Sequence, residues 1–242
     1  MTWSIVARDD AGAFGVAVAS RFFAVGALCP YARAGVGALA TQALVNPGFG
    51  PVGLDLLAQR RDAASAIAAL VAGDDGRDAR QVHLIGTTGL PAAYTGSQCI
   101  EWCGHVIDQQ FCVAGNMLAG PRVVEDAADA FRRHAQRPLA ERLLAAMEAG
   151  EAAGGDKRGK QAAALRVVTT ESYPMLDLRV DDHADPLVEL RRLLDKSLER
   201  FQPFIACLPS RANPAGILDR ALIERNIERF QAARRQSTDN ED

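Results

Sequence analysis

The chain has 242 residues, 48% of them hydrophobic, with a formal net charge of −3 and five cysteines. That is enough apolar sequence for one sizeable core, and no basic field points to nucleic acid or anionic lipid. No run approaches the ~18 apolar residues of a membrane span, and no basic stretch leads into an apolar run at the N-terminus. A cytoplasmic protein with reduced thiols is expected, without membrane or nucleic-acid partners.

In chain order, residues 3–7 and FGVAVAS at 14–20 flank the turn DDAGA and read as paired strands. FGVAVAS is apolar on both faces, which suits a strand buried between layers. A second pair follows at 29–34 and 36–42. NPGFGPVGLDLLAQ then shifts to helical spacing, and DAASAIAALVAGDDG predicts a helix capped by Asp62 and stopped by Gly73. Strands at 81–86, 92–96 and 110–114 precede two helices, VVEDAADAFRRHA and PLAERLLAAMEAG, the latter opened by Pro138. AAALRVVTTE and YPMLDLRVDD form a last strand pair. Strands grouped apart from helices predict α+β layers rather than alternating units.

After His183 the character changes. Helices are expected from Pro186 and from Ala215, followed by a disordered acidic tail. The predicted organisation is one domain over residues 1–183, helices over 184–235 that pack on the core or on a second copy in a homo-oligomer, and a tail over 236–242.

Several residues carry chemistry. Thr2 follows Met1 directly; if Met1 is removed, Thr2 unites a nucleophilic hydroxyl with an α-amine of pKa about 7.7–8.0 that can take its proton. The plainer role is the first residue of a strand. Gln42 and Asn46, in ATQALVNPG, either donate to a developing oxyanion or make turn and cap hydrogen bonds. Asn116, in AGNMLAG, has the same two roles open to it. Arg33 ends an apolar strand and needs a carboxylate, for which Asp156 in GGDKRGK is the natural partner. Arg8, Arg21 and Lys157 would favour a carboxylate-bearing substrate if they stand at the mouth of the site.

The stretch CIEWCGH offers Cys99, Cys103 and His105, with zinc-ligand chemistry at a spacing, C-x3-C-x-H, that is not a standard one. Core thiols and a metal-free pocket His105 are the alternative. Asp181, Asp182 and His183 read as an acid/base set or as a helix cap. No glycine-rich phosphate loop is present.

The blocks TWSIVARD, GVAVASRFFAVGA, AGVGALATQA, CGH, GNML, GGDKRGKQAAAL and VDDHADPLVELRRLL together resemble a bacterial family, DUF1028, whose fold is classed with the N-terminal nucleophile hydrolases. The resemblance runs from Thr2 to about Leu194. It implies an αββα sandwich of two antiparallel sheets, with the C-terminal helices as an extension. Set beside proteasome-type subunits of that class, Thr2 falls where their nucleophile stands. Ser20-Arg21 resembles their Asp-Ser-Arg corner, with Ala19 in place of the aspartate. Arg33 falls near their buried lysine. Asn116 lies near a turn whose serine orients the nucleophile, and Asp156 in a turn where Gly159 replaces a serine. Ala162 stands where the family usually has serine.

The resemblance implies an amidohydrolase acting on a small amide or peptide-like substrate, without cofactor. Thr2, Arg33, Asp156 and Asn116 would be its catalytic set, and Gln42, Asn46, His105, Arg21 and Lys157 would line the substrate site. The same fold could instead serve as a ligand-binding or assembly module without turnover, or hold zinc at Cys99, Cys103 and His105.

Overall fold

The computed structural model describes residues 2–238. Its first half contains β1 (Thr2–Arg8), β2 (Phe14–Ser20), β3 (Pro30–Arg33), β4 (Gly37–Ala43), α1 (Phe49–Ala58), α2 (Ala63–Ala72), β5 (Arg80–Gly86), β6 (Ala92–Thr95), β7 (Trp102–Ile107) and β8 (Phe111–Leu118). There follow α3 (Arg122–Arg133), α4 (Leu139–Ala152), β9 (Ala162–Val168), β10 (Leu176–Val180), α5 (Pro186–Ser197), α6 (Phe201–Ile205) and α7 (Arg220–Thr238). The protein is α+β.

The strands form two antiparallel sheets. One has six strands in the order β10-β9-β2-β1-β8-β7, the other four in the order β3-β4-β5-β6. β1 therefore lies inside its sheet, bonded to β2 along Trp3↔Ala19 to Arg8↔Phe14 and to β8 along Thr2↔Asn116 to Ala7↔Phe111.

Strand alternation sorts the residues between neighbours. Val6, Phe14, Val16, Cys112 and Val168 of the larger sheet pack with Ala38, Ala40 and Ile85 of the smaller. On the other face of the smaller sheet, Leu39, Val82 and Leu84 meet Phe49, Leu54 and Leu57 of α1 and Ala66, Ile67 and Leu70 of α2. On the larger sheet, Trp3 stands against Gly150 of α4, where any Cβ would come within 2.8 Å of the indole nitrogen.

Local signals act where the sequence places them. Asp62 caps α2 by accepting from the Ser65 N–H at 2.9 Å, and Pro138 immediately precedes α4. The last helix is a correction: it starts at Arg220 rather than Ala215. Gly216 takes a φ of +67°, which breaks the helical path, and Asp219 caps the helix through the Ala221 N–H at 2.9 Å. Residues 236–238, expected in the tail, continue α7, while 239–242 lie outside the described residues. The chain divides into two compact units, one ending at Leu190 and the other beginning at Arg191. No helix among the described residues is long and apolar enough to cross a membrane.

The smaller sheet and α1 leave no room at Gly37, where a Cβ would fall 2.3 Å from the Ile85 carbonyl oxygen of β5 and 2.7 Å from Leu57 of α1. Backbone cannot yield as a side-chain tip does. Gly37→Ala is expected to destabilise the fold by about 1–3 kcal/mol, read as a lower urea midpoint at unchanged slope.

Candidate functional site

The site is built around the first residue of β1. Thr2 is buried, and its hydroxyl donates to Ser20 Oγ at 3.1 Å, across to the end of β2. The Thr2 carbonyl takes long contacts from Gln42 Nε2 at 3.5 Å and Asn116 Nδ2 at 3.4 Å. Opposite Cys103 the β7–β8 ladder slips, with two residues of β8, Asn116 and Met117, set against one. Met117 adopts a φ of +53° at this bulge. Bulges of this kind re-aim side chains beside functional sites.

Behind Thr2 lies a buried polar chain that crosses between the sheets. Gln81 Oε1 accepts from Gln42 Nε2 at 2.8 Å and from Asn116 Nδ2 at 3.1 Å. Gln81 Nε2 in turn donates to Thr95 Oγ1 and to the Gly115 carbonyl, at 2.9 and 2.8 Å. Ser4 Oγ donates to Gln42 Oε1 at 2.7 Å and lies equally close to His83 Nε2. With the single Ser4 hydrogen spent on Gln42, the His83 nitrogen is assigned as the donor. Burial, with nearby His105 a smaller influence, pushes His83 down to about 3, so the imidazole is neutral.

This chain revises the roles expected of the amides. The hydrogens of Gln42 and Asn116 are engaged by Gln81, by Thr2 and by the Ala114 carbonyl. They hold Thr2 in place rather than offering donors to an oxyanion. Asn46 makes a turn, accepting the Gly48 N–H at 3.1 Å.

A charged loop borders the other side. Asp156 is buried and accepts the backbone N–H of Arg21 and of Arg158, at 2.8 and 2.9 Å. Its side-chain partner is Arg158, 3.1 Å away, and not Arg33. Arg33 is a correction: it sits at the exposed end of β3 and pairs with Asp55 of α1 at 2.8 Å. Arg33 does not line the cavity that Thr2 lines. Lys157 pairs with Glu101 at 3.3 Å, and the Arg21 guanidinium donates to the Arg158 carbonyl.

His105 is exposed on β7. Cys99 bonds weakly to the Arg80 carbonyl and Cys103 to that of Cys99. Among the described residues no three His, Cys, Asp or Glu side chains converge as a metal site would require. His183 acts as a cap, its Nδ1 accepting the Asp185 N–H at 3.0 Å.

Thr2, Ser20, Gln42 and Asn116 form the polar, buried floor of a cavity of about 440 Å³. Val25 and Cys29 are buried in its wall; Phe22, Leu44, Ile100 and Arg158 are exposed at its mouth. Two lining residues, Ala43 and Met117, hold positive φ of +69° and +53°. Such backbone persists where the surroundings over-determine it, and clusters at binding sites. Burial pushes Cys29 up to about 12 and raises Cys99, so both thiols in the wall stay protonated.

An α+β protein with the paired hydroxyls of Thr2 and Ser20 on the buried floor of a cavity is the class that fold and site define. The family model described as "Family of unknown function (DUF1028)" matches residues 2–190, and the chain belongs to that family. It is similar to a crystal structure of a family protein from Silicibacter pomeroyi, with a TM-score of 0.82 at 30% identity over 90% of this chain and 99% of that one. Anbu, an ancestral beta-subunit from Yersinia bercovieri, aligns with a TM-score of 0.42 at 13% identity over 86% of this chain and 98% of that one. No curated protein matches.

Two outcomes test the buried chain. Between about pH 6.5 and 3 the unfolded chain binds a His83 proton that the folded chain refuses, so this contribution falls as pH drops. The slope is about 1.4 kcal/mol per pH unit, and urea midpoints of His83→Gln should depend less steeply on pH in that window than those of the parent. Gln81→Leu removes the shorter acceptor of Gln42 and Asn116 and leaves them only the longer contacts to the Thr2 and Ala114 carbonyls, which should cost about 1–3 kcal/mol by the same measurement.

Proposed function

We infer that the chain is an amidohydrolase of the N-terminal nucleophile type, with Thr2 as nucleophile once Met1 is removed. The observation that carries this reading is the Thr2 hydroxyl, held at 3.1 Å from Ser20 on the floor of an enclosed cavity. Two antiparallel sheets joined by an apolar seam, with helices packed on each sheet, fit the four-layer αββα sandwich of that class.

In this reading the neutral α-amine of Thr2 accepts the hydroxyl proton as Oγ1 bonds to the amide carbon. The C–N bond then breaks, the proton passes to the departing amine, and an ester on Thr2 remains. Water attacks that ester, returns a proton to Oγ1 and releases the acid. Ser20 orients the hydroxyl, while Gln42 and Asn116 fix the Thr2 carbonyl and with it the direction of the side chain. Asp156 and Arg158 supply the local charge beside this site.

Intact mass of the purified protein, before and after treatment with a threonine-reactive β-lactone, tests the claim. The expected result is loss of one methionine and one adduct that maps to Thr2. Thr2→Ala should take no adduct and should lower amide hydrolysis by about three orders of magnitude or more. Turnover should rise with pH through about 7.7–8.0, where the α-amine loses its proton. A retained Met1 with no adduct would instead favour a ligand-binding module on the same fold.

A further inference from the structure

The cavity sorts its lining by depth. Its floor is polar and fully buried, formed by Thr2, Ser20, Gln42 and Asn116, with Val25 and Cys29 closing the wall beside them. Its mouth is different. Phe22, Leu44 and Ile100 are 50%, 67% and 56% exposed, apolar side chains held in water at the rim. Large apolar groups so placed mark a surface that another apolar group covers.

Arg158 stands on the same rim. Among the described residues lining the cavity it is the one charged side chain. Its side chain is 41% exposed while that of Asp156, which holds Arg158 Nε and Nη2 at 3.4 and 3.1 Å, is 1% exposed, so the pair presents its positive end to solvent. The Asp156 carboxylate already accepts two backbone N–H groups besides, and the Arg21 guanidinium lies against the Arg158 carbonyl. Local charge at the rim is therefore positive, and a guanidinium held by one carboxylate along its Nε edge can donate from its Nη groups to a second.

Resting on the hydrolase reading of this site, we propose that the cavity takes N-acyl derivatives of apolar amino acids. In such a compound the carboxylate and the apolar side chain branch from the carbon next to the amide nitrogen. The carboxylate is bound by Arg158, the apolar side chain covers Phe22, Leu44 and Ile100, and the acyl group points inward to Thr2. A cavity of about 440 Å³ lies within the size range of small-molecule sites. The neutral amide analogue loses the charged contact while keeping the apolar one.

The test uses calorimetry on the Thr2→Ala protein, which binds without turning over, with N-acetylphenylalanine and its neutral carboxamide as probes. The acid is expected to bind at least about tenfold more tightly than the carboxamide, as loss of a charge-assisted contact predicts. Arg158→Gln should abolish that preference, and Arg158→Lys should keep part of it. Equal affinities, or no binding of either probe, would overturn the proposal. β-Lactone labelling of the parent protein reports on Thr2 separately: an adduct with no acid preference removes the substrate class alone, and acid preference without an adduct removes hydrolysis alone.

Discussion

Two sheets that meet through alanines and valines have little to fix one against the other, because apolar contacts tolerate sliding. The Gln42–Gln81–Asn116 triad removes that freedom. Gln42 and Gln81 belong to the smaller sheet and bond to each other, and across the seam Gln81 accepts from Asn116 and donates to the Gly115 carbonyl while Gln42 donates to that of Ala114. All three side chains are buried, and each amide group left unpaired there would cost on the order of 1–3 kcal/mol. A slip of one residue breaks several such contacts together. The polar chain therefore sets the alignment of the sheets, and everything at their shared edge inherits it.

Thr2 is the chief beneficiary. A strand end ordinarily frays, yet its carbonyl is held by two amides and its hydroxyl by Ser20. The bulge at Asn116 and Met117 serves the same place, since it turns β8 where it passes Thr2. Asp156 ties the third side by binding the backbone after Ser20, while a lone bridge joins it to Leu118 at the end of β8. Rigid elements thus converge on Thr2 from three directions and fix its place at the strand end.

Much of this was legible in the residues. The apolar runs of β2 and β8, the Asp62 cap and the Pro138 start each reflect local rules that tertiary packing left intact. Thr2, Asn116, Gln42 and Asp156 do meet around one place. Arg33 failed because a strand end cannot reveal whether its side chain turns inward or toward a neighbouring helix, and Asp55 of α1 claimed it. The cation that does reach the cavity, Arg158, adjoins Lys157, and loop geometry alone decides between such neighbours. Gln81 and His83 went unread, though their signal was present: polar residues at alternate positions of QVHLIG place both on one face of an apolar strand.

The two thiols in the cavity wall bear on chemistry at its floor. Sulfur is ordinarily the better nucleophile, and an electrophile entering here meets Cys29 and Cys99 as well as Thr2. Reactive sulfur is the thiolate, however, and burial keeps both residues in the thiol form, Cys29 with a pKa of about 12. In the hydrolase reading, the dry wall around Cys29 therefore lessens the competition that sulfur offers to the Thr2 hydroxyl.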